Sequence, residues 1–180
     1  QAKSLVEGGV DVLLVETAQD ILEVKAAVAG FERLFREIGF RVPIQAQVTL
    51  DVSGRMLLGT DVASALVTLE SVGVDVIGLN CSTGPEHMRE PIRYLTAHAR
   101  LPISCIPNAG LPLNTGTGDA VYPLEPKPMA EMLGEFLGFD PGTFVDYRPH
   151  SGIAYRYGVR QIAIEGTEEL FVLLRLAQEL

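Results

Sequence analysis

The chain has 180 residues, 47% of them apolar and 21% charged, with fourteen basic against twenty-three acidic side chains and a net charge of −9. That is the make-up of one globular domain, and its acidic balance excludes a general binder of nucleic acid or of an anionic membrane surface. Two cysteines exclude a disulfide scaffold and point to a reducing cytoplasm, and no apolar run approaches the roughly 18–20 residues of a membrane span.

The first residues, Gln1-Ala2-Lys3-Ser4-Leu5-Val6-Glu7, show no signal-peptide pattern and enter in mid-pattern, so the chain reads as one cut from a longer protein. The first strand is expected at Val10–Val15, an apolar run ending in Glu16-Thr17. A helix follows, with Ile21, Val24, Ala27, Val28, Phe31 and Phe35 on one face. The second strand, Ile44–Val48, ends in Thr49-Leu50-Asp51, and the helix after it spans Thr60–Ser71. The third, Val74–Leu79, runs into Asn80-Cys81-Ser82-Thr83-Gly84-Pro85 and a helix over Glu86–Ala99. The fourth, Leu101–Ile106, runs into Pro107-Asn108-Ala109-Gly110-Leu111-Pro112.

Residues 107–126 are rich in Gly, Pro, Asn and Thr and read as a functional loop before a helix over Pro128–Leu137, where Pro128 suits the first turn. Residues 139–157 read as a second irregular insertion. A fifth strand is expected at Val159–Ile164 and a last helix at Thr167–Leu180. Near-continuous apolar runs alternating with helices predict parallel strands buried on both faces. An open doubly wound sheet needs a glycine fingerprint straight after a strand, and Gly116-Thr117-Gly118 lies deep in a loop instead. The expected fold is therefore α/β, a partial (β/α)8 barrel of the TIM type with its N-terminal strands absent, about half of a domain that usually takes about 250 residues.

In such a sheet all strand C-termini open on one rim, where barrel enzymes carry their chemistry. Glu16, Asp51, Cys81 and Asn108 are expected there together. A carboxylate at such a mouth suits a substrate ammonium group through charge-assisted hydrogen bonds, and it equally suits a helix cap. Cys81 reads either as a soft metal ligand or nucleophile or as a small buried residue. Cys105 lies inside a strand and reads as core. His87 and His98 sit eleven residues apart on a helix and read as solvated, and the three histidines support no Ser/His/Asp arrangement.

The stretches Leu5-Val6-Glu7-Gly8-Gly9-Val10-Asp11 into Val15-Glu16-Thr17, Gly54-Arg55-Met56-Leu57-Leu58-Gly59, Gly78-Leu79-Asn80-Cys81-Ser82-Thr83-Gly84-Pro85-Glu86, Pro107–Pro112 and Tyr122-Pro123-Leu124 resemble the homocysteine-binding domain of cobalamin-dependent methionine synthases, of the homocysteine S-methyltransferase family. The match covers residues 1 to about 138, leaves 139–180 divergent, and makes the whole chain, 1–180, the C-terminal part of such a barrel. The resemblance implies a cytoplasmic methyltransferase of methionine biosynthesis. In it zinc activates the homocysteine thiol for attack on methylcobalamin, and cobalamin- and folate-binding modules of the full-length protein are partners. It implies Cys81 as the catalytic residue and a zinc ligand, and Glu16 as the residue binding the substrate's amino group. Asn80 and Asn108 match pocket-shaping residues, and Thr17 and Gly110 are counted with them as substrate-binding candidates.

The family also supplies adjacent cysteines from a Gly-Gly-Cys-Cys-Gly-Thr turn. Here Tyr157-Gly158-Val159 and Gly166-Thr167 resemble its flanks, with Ile164-Glu165 between them and no cysteine, so the implied zinc site is incomplete. Two other functions compete with the methionine synthase reading. One is a cobalamin-independent homocysteine methyltransferase using a sulfonium or betaine donor. The other is a non-catalytic barrel remnant that binds a small amino acid or only contributes to assembly.

Overall fold

The structure, a computed structural model, describes residues 1–114, 116, 120–137, 145–146 and 173–174. A short helix α1 (Ala2–Glu7) precedes four βα units: β1 (Leu13–Ala18), α2 (Ile21–Ile38), β2 (Ile44–Val48), α3 (Val62–Val72), β3 (Val76–Asn80), α4 (Pro85–His98) and β4 (Ile103–Ile106). A two-stranded ribbon of β5 (Leu113–Asn114) and β6 (Ala120–Val121) then leads to α5 (Pro126–Leu137). The four long strands form one parallel sheet in the order β1-β2-β3-β4, which is chain order, as in a stretch of an α/β barrel. No helix among the described residues is long and apolar enough to cross a membrane.

Helix placement follows from capping and periodicity. Asp20 opens α2 with a capping box, its carboxylate accepting from the Leu22 amide at 2.9 Å while Glu23 reaches back to the Asp20 amide. Asp61 caps α3, accepting from Ser64 N–H at 2.9 Å. Pro85 stands in the first turn of α4, where its missing N–H costs nothing, and α5 starts at Pro126, two residues earlier than expected. The helices turn Val24, Val28 and Phe35, then Ala65, Leu66 and Leu69, then Met88, Ile92 and Leu95, onto the sheet face carrying Ile44, Ala46, Val48, Ile77, Leu79, Ile103 and Cys105. That layer is the core; at about 25 cal/mol per Å2 its burial is the main source of stability.

The structure changes four expectations. The first strand lies three residues further on, so Glu16 and Thr17 are part of β1 rather than its aftermath. Among the described residues β2 is its one strand neighbour, and Leu14 is 43% exposed on the face away from the helices, so β1 is not buried on both faces. The 107–126 stretch holds the β5–β6 ribbon. In the region expected to be helical, Leu173–Leu174 (β8) pairs antiparallel with Val145–Asp146 (β7), which belongs to the expected irregular insertion. The run Leu170-Phe171-Val172-Leu173-Leu174 is apolar throughout, and such a run satisfies either period. The fifth strand, Val159–Ile164, and the rest of the expected last helix lie outside the described residues.

Candidate functional site

Parallel strands place their C-terminal ends on one edge, and the structure gathers there Glu16 and Thr17 of β1, Thr49 and Asp51 after β2, Asn80 and Cys81 at the end of β3, and Asn108 and Gly110 after β4. Asn80, buried at 7% exposure, ties three of these strand ends together. Its Oδ1 accepts from the Thr17 amide at 2.9 Å and its Nδ2 donates to Thr17 Oγ1 at 2.7 Å. The Thr49 hydroxyl donates to the Asn80 carbonyl at 3.0 Å. This two-point grip holds Thr17 at φ +56, a left-handed conformation that a β-branched residue adopts only when its surroundings impose it.

The grip coincides with a bulge. Val15 pairs with Ala46 and Ala18 with Val48, so Glu16 and Thr17 together stand across from Gln47. Glu16 is thereby offered to solvent at the rim, and Thr17 is turned to Asn80.

Cys81 and Ser82 follow with φ +58 and +64, two consecutive non-glycine residues in the left-handed region. Cys81 N–H donates to the Ile106 carbonyl at 3.0 Å, Thr83 N–H to the Cys81 carbonyl at 2.7 Å, and Asn108 N–H to the Thr83 carbonyl at 3.0 Å. The loops after β3 and β4 are thus stitched backbone to backbone. Gly84 and Gly110 permit it: a Cβ on Gly84 would lie 2.7 Å from the Gly110 Cα, and Gly110 itself has φ +88.

Asp51 does different work from its rim neighbours. Its carboxylate accepts from Ser53 N–H at 2.8 Å, from the Ser53 hydroxyl at 2.5 Å and from Arg55 N–H at 3.3 Å, and these bonds hold its acidity below the ordinary carboxylate range. Asp51 staples the turn that precedes α3, and Leu57 and Leu58 at its tip are 74% and 71% exposed.

The two thiols are free and lie in contrasting surroundings. Cys81 is half-buried at the rim. Cys105 faces the helices at 1% exposure with its Sγ 3.7 Å from Met88 Sδ, and burial pushes its thiol far above the ordinary range. Iodoacetamide is therefore expected to add one carbamidomethyl group to the folded chain, at Cys81, and two after unfolding in urea; intact mass and peptide mapping check this. His87 leans on Glu86 at 3.3 Å and His98 on the Tyr94 carbonyl at 2.8 Å, both on α4, as solvated side chains do.

Beneath the rim lies a polar layer that the sequence reading did not single out. Gln45 and Gln47 of β2 both donate from Nε2 to Ser104 Oγ of β4, at 3.0 and 2.7 Å, across the intervening β3. They cross at Gly78, where a Cβ would stand 2.6 Å from the Ser104 carbonyl oxygen and 3.0 Å from Gln47 Cγ. The signal was present: Gln45, Gln47 and Thr49 alternate with Ile44, Ala46 and Val48, the mark of one apolar and one polar face.

For a metal, the described residues offer little. No group of three or more His, Cys, Asp or Glu among them is placed to hold an ion, and a catalytic zinc takes about three protein ligands. Cys81 is the rim's one thiol; Cys105 is sealed on the opposite face of the sheet. These residues alone do not fit a zinc centre.

The profile of the homocysteine S-methyltransferase family matches residues 1–154. The methionine synthases of Mycobacterium leprae (strain TN) and Mycobacterium tuberculosis (strain ATCC 25618 / H37Rv) are each 48% identical over 136 residues, which is 76% of this chain. The chain spans 11% of the length of either relative. Among solved structures, the oxidized form of the homocysteine methyltransferase MmuM from Escherichia coli superposes with a TM-score of 0.58 at 21% identity, over 77% of this chain and 41% of that one. The apo form gives 0.50 at 24% identity, over 59% and 39%. At such identities these two structures speak for the fold.

Proposed function

This chain belongs to the homocysteine S-methyltransferase family, and on that premise we propose that it forms the homocysteine-binding part of a cytoplasmic methionine synthase. The observation that carries the proposal is the rim: an exposed carboxylate, Glu16, and a half-buried thiol, Cys81, stand on strand ends tied together through Asn80 and Thr17. Glu16 binds the ammonium group of homocysteine. Asn80 fixes the bulge that presents Glu16, while Asn108 and Gly110 wall the pocket from the β4 side. The reaction is a methyl transfer in which the substrate's sulfur, as thiolate, forms a bond to the methyl carbon while the donor keeps the electron pair of the broken bond. In a methionine synthase of the cobalamin-dependent kind the donor would be methylcobalamin, held with folate on other modules of a longer protein.

A zinc ion, where one is supplied, would lower the thiol's pKa, and Cys81 is the one thiol among the described rim residues that could serve it as a ligand. With one thiol among the described rim residues, the metal needs further ligands from elsewhere. Substrate binding by Glu16 and the pocket does not wait for the metal.

The test is a titration of the chain with L-homocysteine followed by amide chemical shifts. Shifts are expected at Glu16, Asn80, Cys81 and Asn108, and Glu16→Gln is expected to weaken binding about tenfold, the loss of one charge-assisted hydrogen bond. Shifts confined to the opposite edge of the sheet, or none, would sink the proposal.

A further inference from the structure

Gln47 has no role in the site as built so far. It is fully buried, its Nε2 donates to Ser104, and its Oε1 has no hydrogen-bond partner. Turning the amide over merely exchanges one orphan for another, because Ser104 already accepts from Gln45 and has one hydroxyl proton to give. A buried amide oxygen without a donor is destabilising, and native proteins keep few.

Position supplies the donor's direction. Glu16 and Thr17 stand across from Gln47 at the bulge. Alternation along β1 sets Leu14 and Glu16 on the face opposite to Leu13 and Val15, which is the face of Gln45 and Gln47. Leu14 and Glu16 are both exposed there, so on this face the strand beside the buried Gln47 is the solvent-facing one, with the Glu16 carboxylate on it.

We propose that Gln47 is a specificity residue which, beside Glu16, accepts a hydrogen bond from the α-ammonium group of the amino-acid substrate. An ammonium carries three donors and no acceptor, and it matches a carboxylate and an amide oxygen on adjacent strands. A ligand with a methylene at that place leaves the Gln47 oxygen unpaired, and one with a carboxylate meets two acceptors. Gly78 makes the arrangement possible, since any side chain there would block the reach of Gln47 to its anchor on Ser104. This inference rests on the homocysteine reading above and names the part of the substrate that Gln47 recognises.

Two ligands separate the possibilities: L-homocysteine and 4-mercaptobutanoate, which keeps the thiol and carboxylate and lacks the amino group. Each is titrated into the parent chain and into Gln47→Met, which preserves length and removes the oxygen. The parent is expected to prefer L-homocysteine; Gln47→Met is expected to lose about tenfold in affinity for it and none for the analogue. Ser104→Ala, which releases the Gln47 amide, serves as the second variant and is expected to lower the same preference by a smaller factor. A preference unchanged in both variants overturns the inference and assigns Gln47 to packing or to a buried water. A parent chain that binds neither ligand overturns the homocysteine reading, and this inference with it. A parent that prefers L-homocysteine while Gln47→Met keeps the full preference overturns this inference alone.

Discussion

Asn80→Ala is expected to destabilise the chain by about 2–4 kcal/mol, with the loss read as a lower urea midpoint at unchanged slope. The substitution removes both bonds to Thr17, at 2.9 and 2.7 Å. It also leaves the partly buried Thr17 N–H without an acceptor, and that orphan costs more than the bond itself is worth. Thr17 then has no reason to stay at φ +56, so the bulge relaxes and Glu16 leaves the rim. Asn80→Asp is expected to fall between parent and alanine. It keeps an acceptor for the Thr17 amide, and the Thr17 hydroxyl can turn to donate to the second oxygen. Homocysteine affinity should follow the same order, because the grip acts on Glu16 and not on the ligand.

Gly78→Ala is expected to cost about 3 kcal/mol, at the upper end for an overpacked core. One methyl group suffices, since it would meet the Ser104 carbonyl oxygen at 2.6 Å and Ser104 Cβ at 2.8 Å, and backbone on a neighbouring strand cannot step aside as a flexible side chain does. The β3–β4 spacing must open or the strands slip, and either change breaks the bonds from Gln45 and Gln47 to Ser104. Thermal unfolding measures the loss. The same alanine at Gly134, on α5, meets nothing within 4 Å and is the matched control.

How far these features could be read from sequence depends on what sets them. The four parallel strands were legible because Val- and Ile-rich runs separated by amphipathic stretches leave few alternatives. Rim placement of Glu16, Cys81 and Asn108 followed from that topology alone, as strand ends converge whatever the side chains do. The start of β1 is not legible locally, because Val10-Asp11-Val12 looks as strand-like as the residues that pair; register with Ile44 and Gln45 decides the matter, and register belongs to two strands at once. The bulge at Glu16 and Thr17 was invisible for a related reason. It is held by Asn80, sixty-three residues away from Thr17, and no local pattern announces it. The amide layer was written plainly in Gln45, Gln47 and Thr49, yet a strand expected to be buried on both faces hid the polarity of one of them. Leu173–Leu174 shows tertiary pairing overriding a local period.

Because the four-stranded sheet runs in chain order, each of its strands after β1 pairs with its immediate predecessor, through partners such as Leu13 with Ile44 and Ile77 with Ile103. Such closures span only one unit of chain, and loop-closure entropy rises slowly with length, so each new strand adds at a similar and modest cost. Topology of this kind favours stepwise growth over a single all-or-none search. As the polypeptide leaves the ribosome, β2 can dock on β1 before β3 has been synthesised, and each helix can cover the step just completed. The half-formed molecule always exposes one growing edge, and the next element to emerge is the one that fits it.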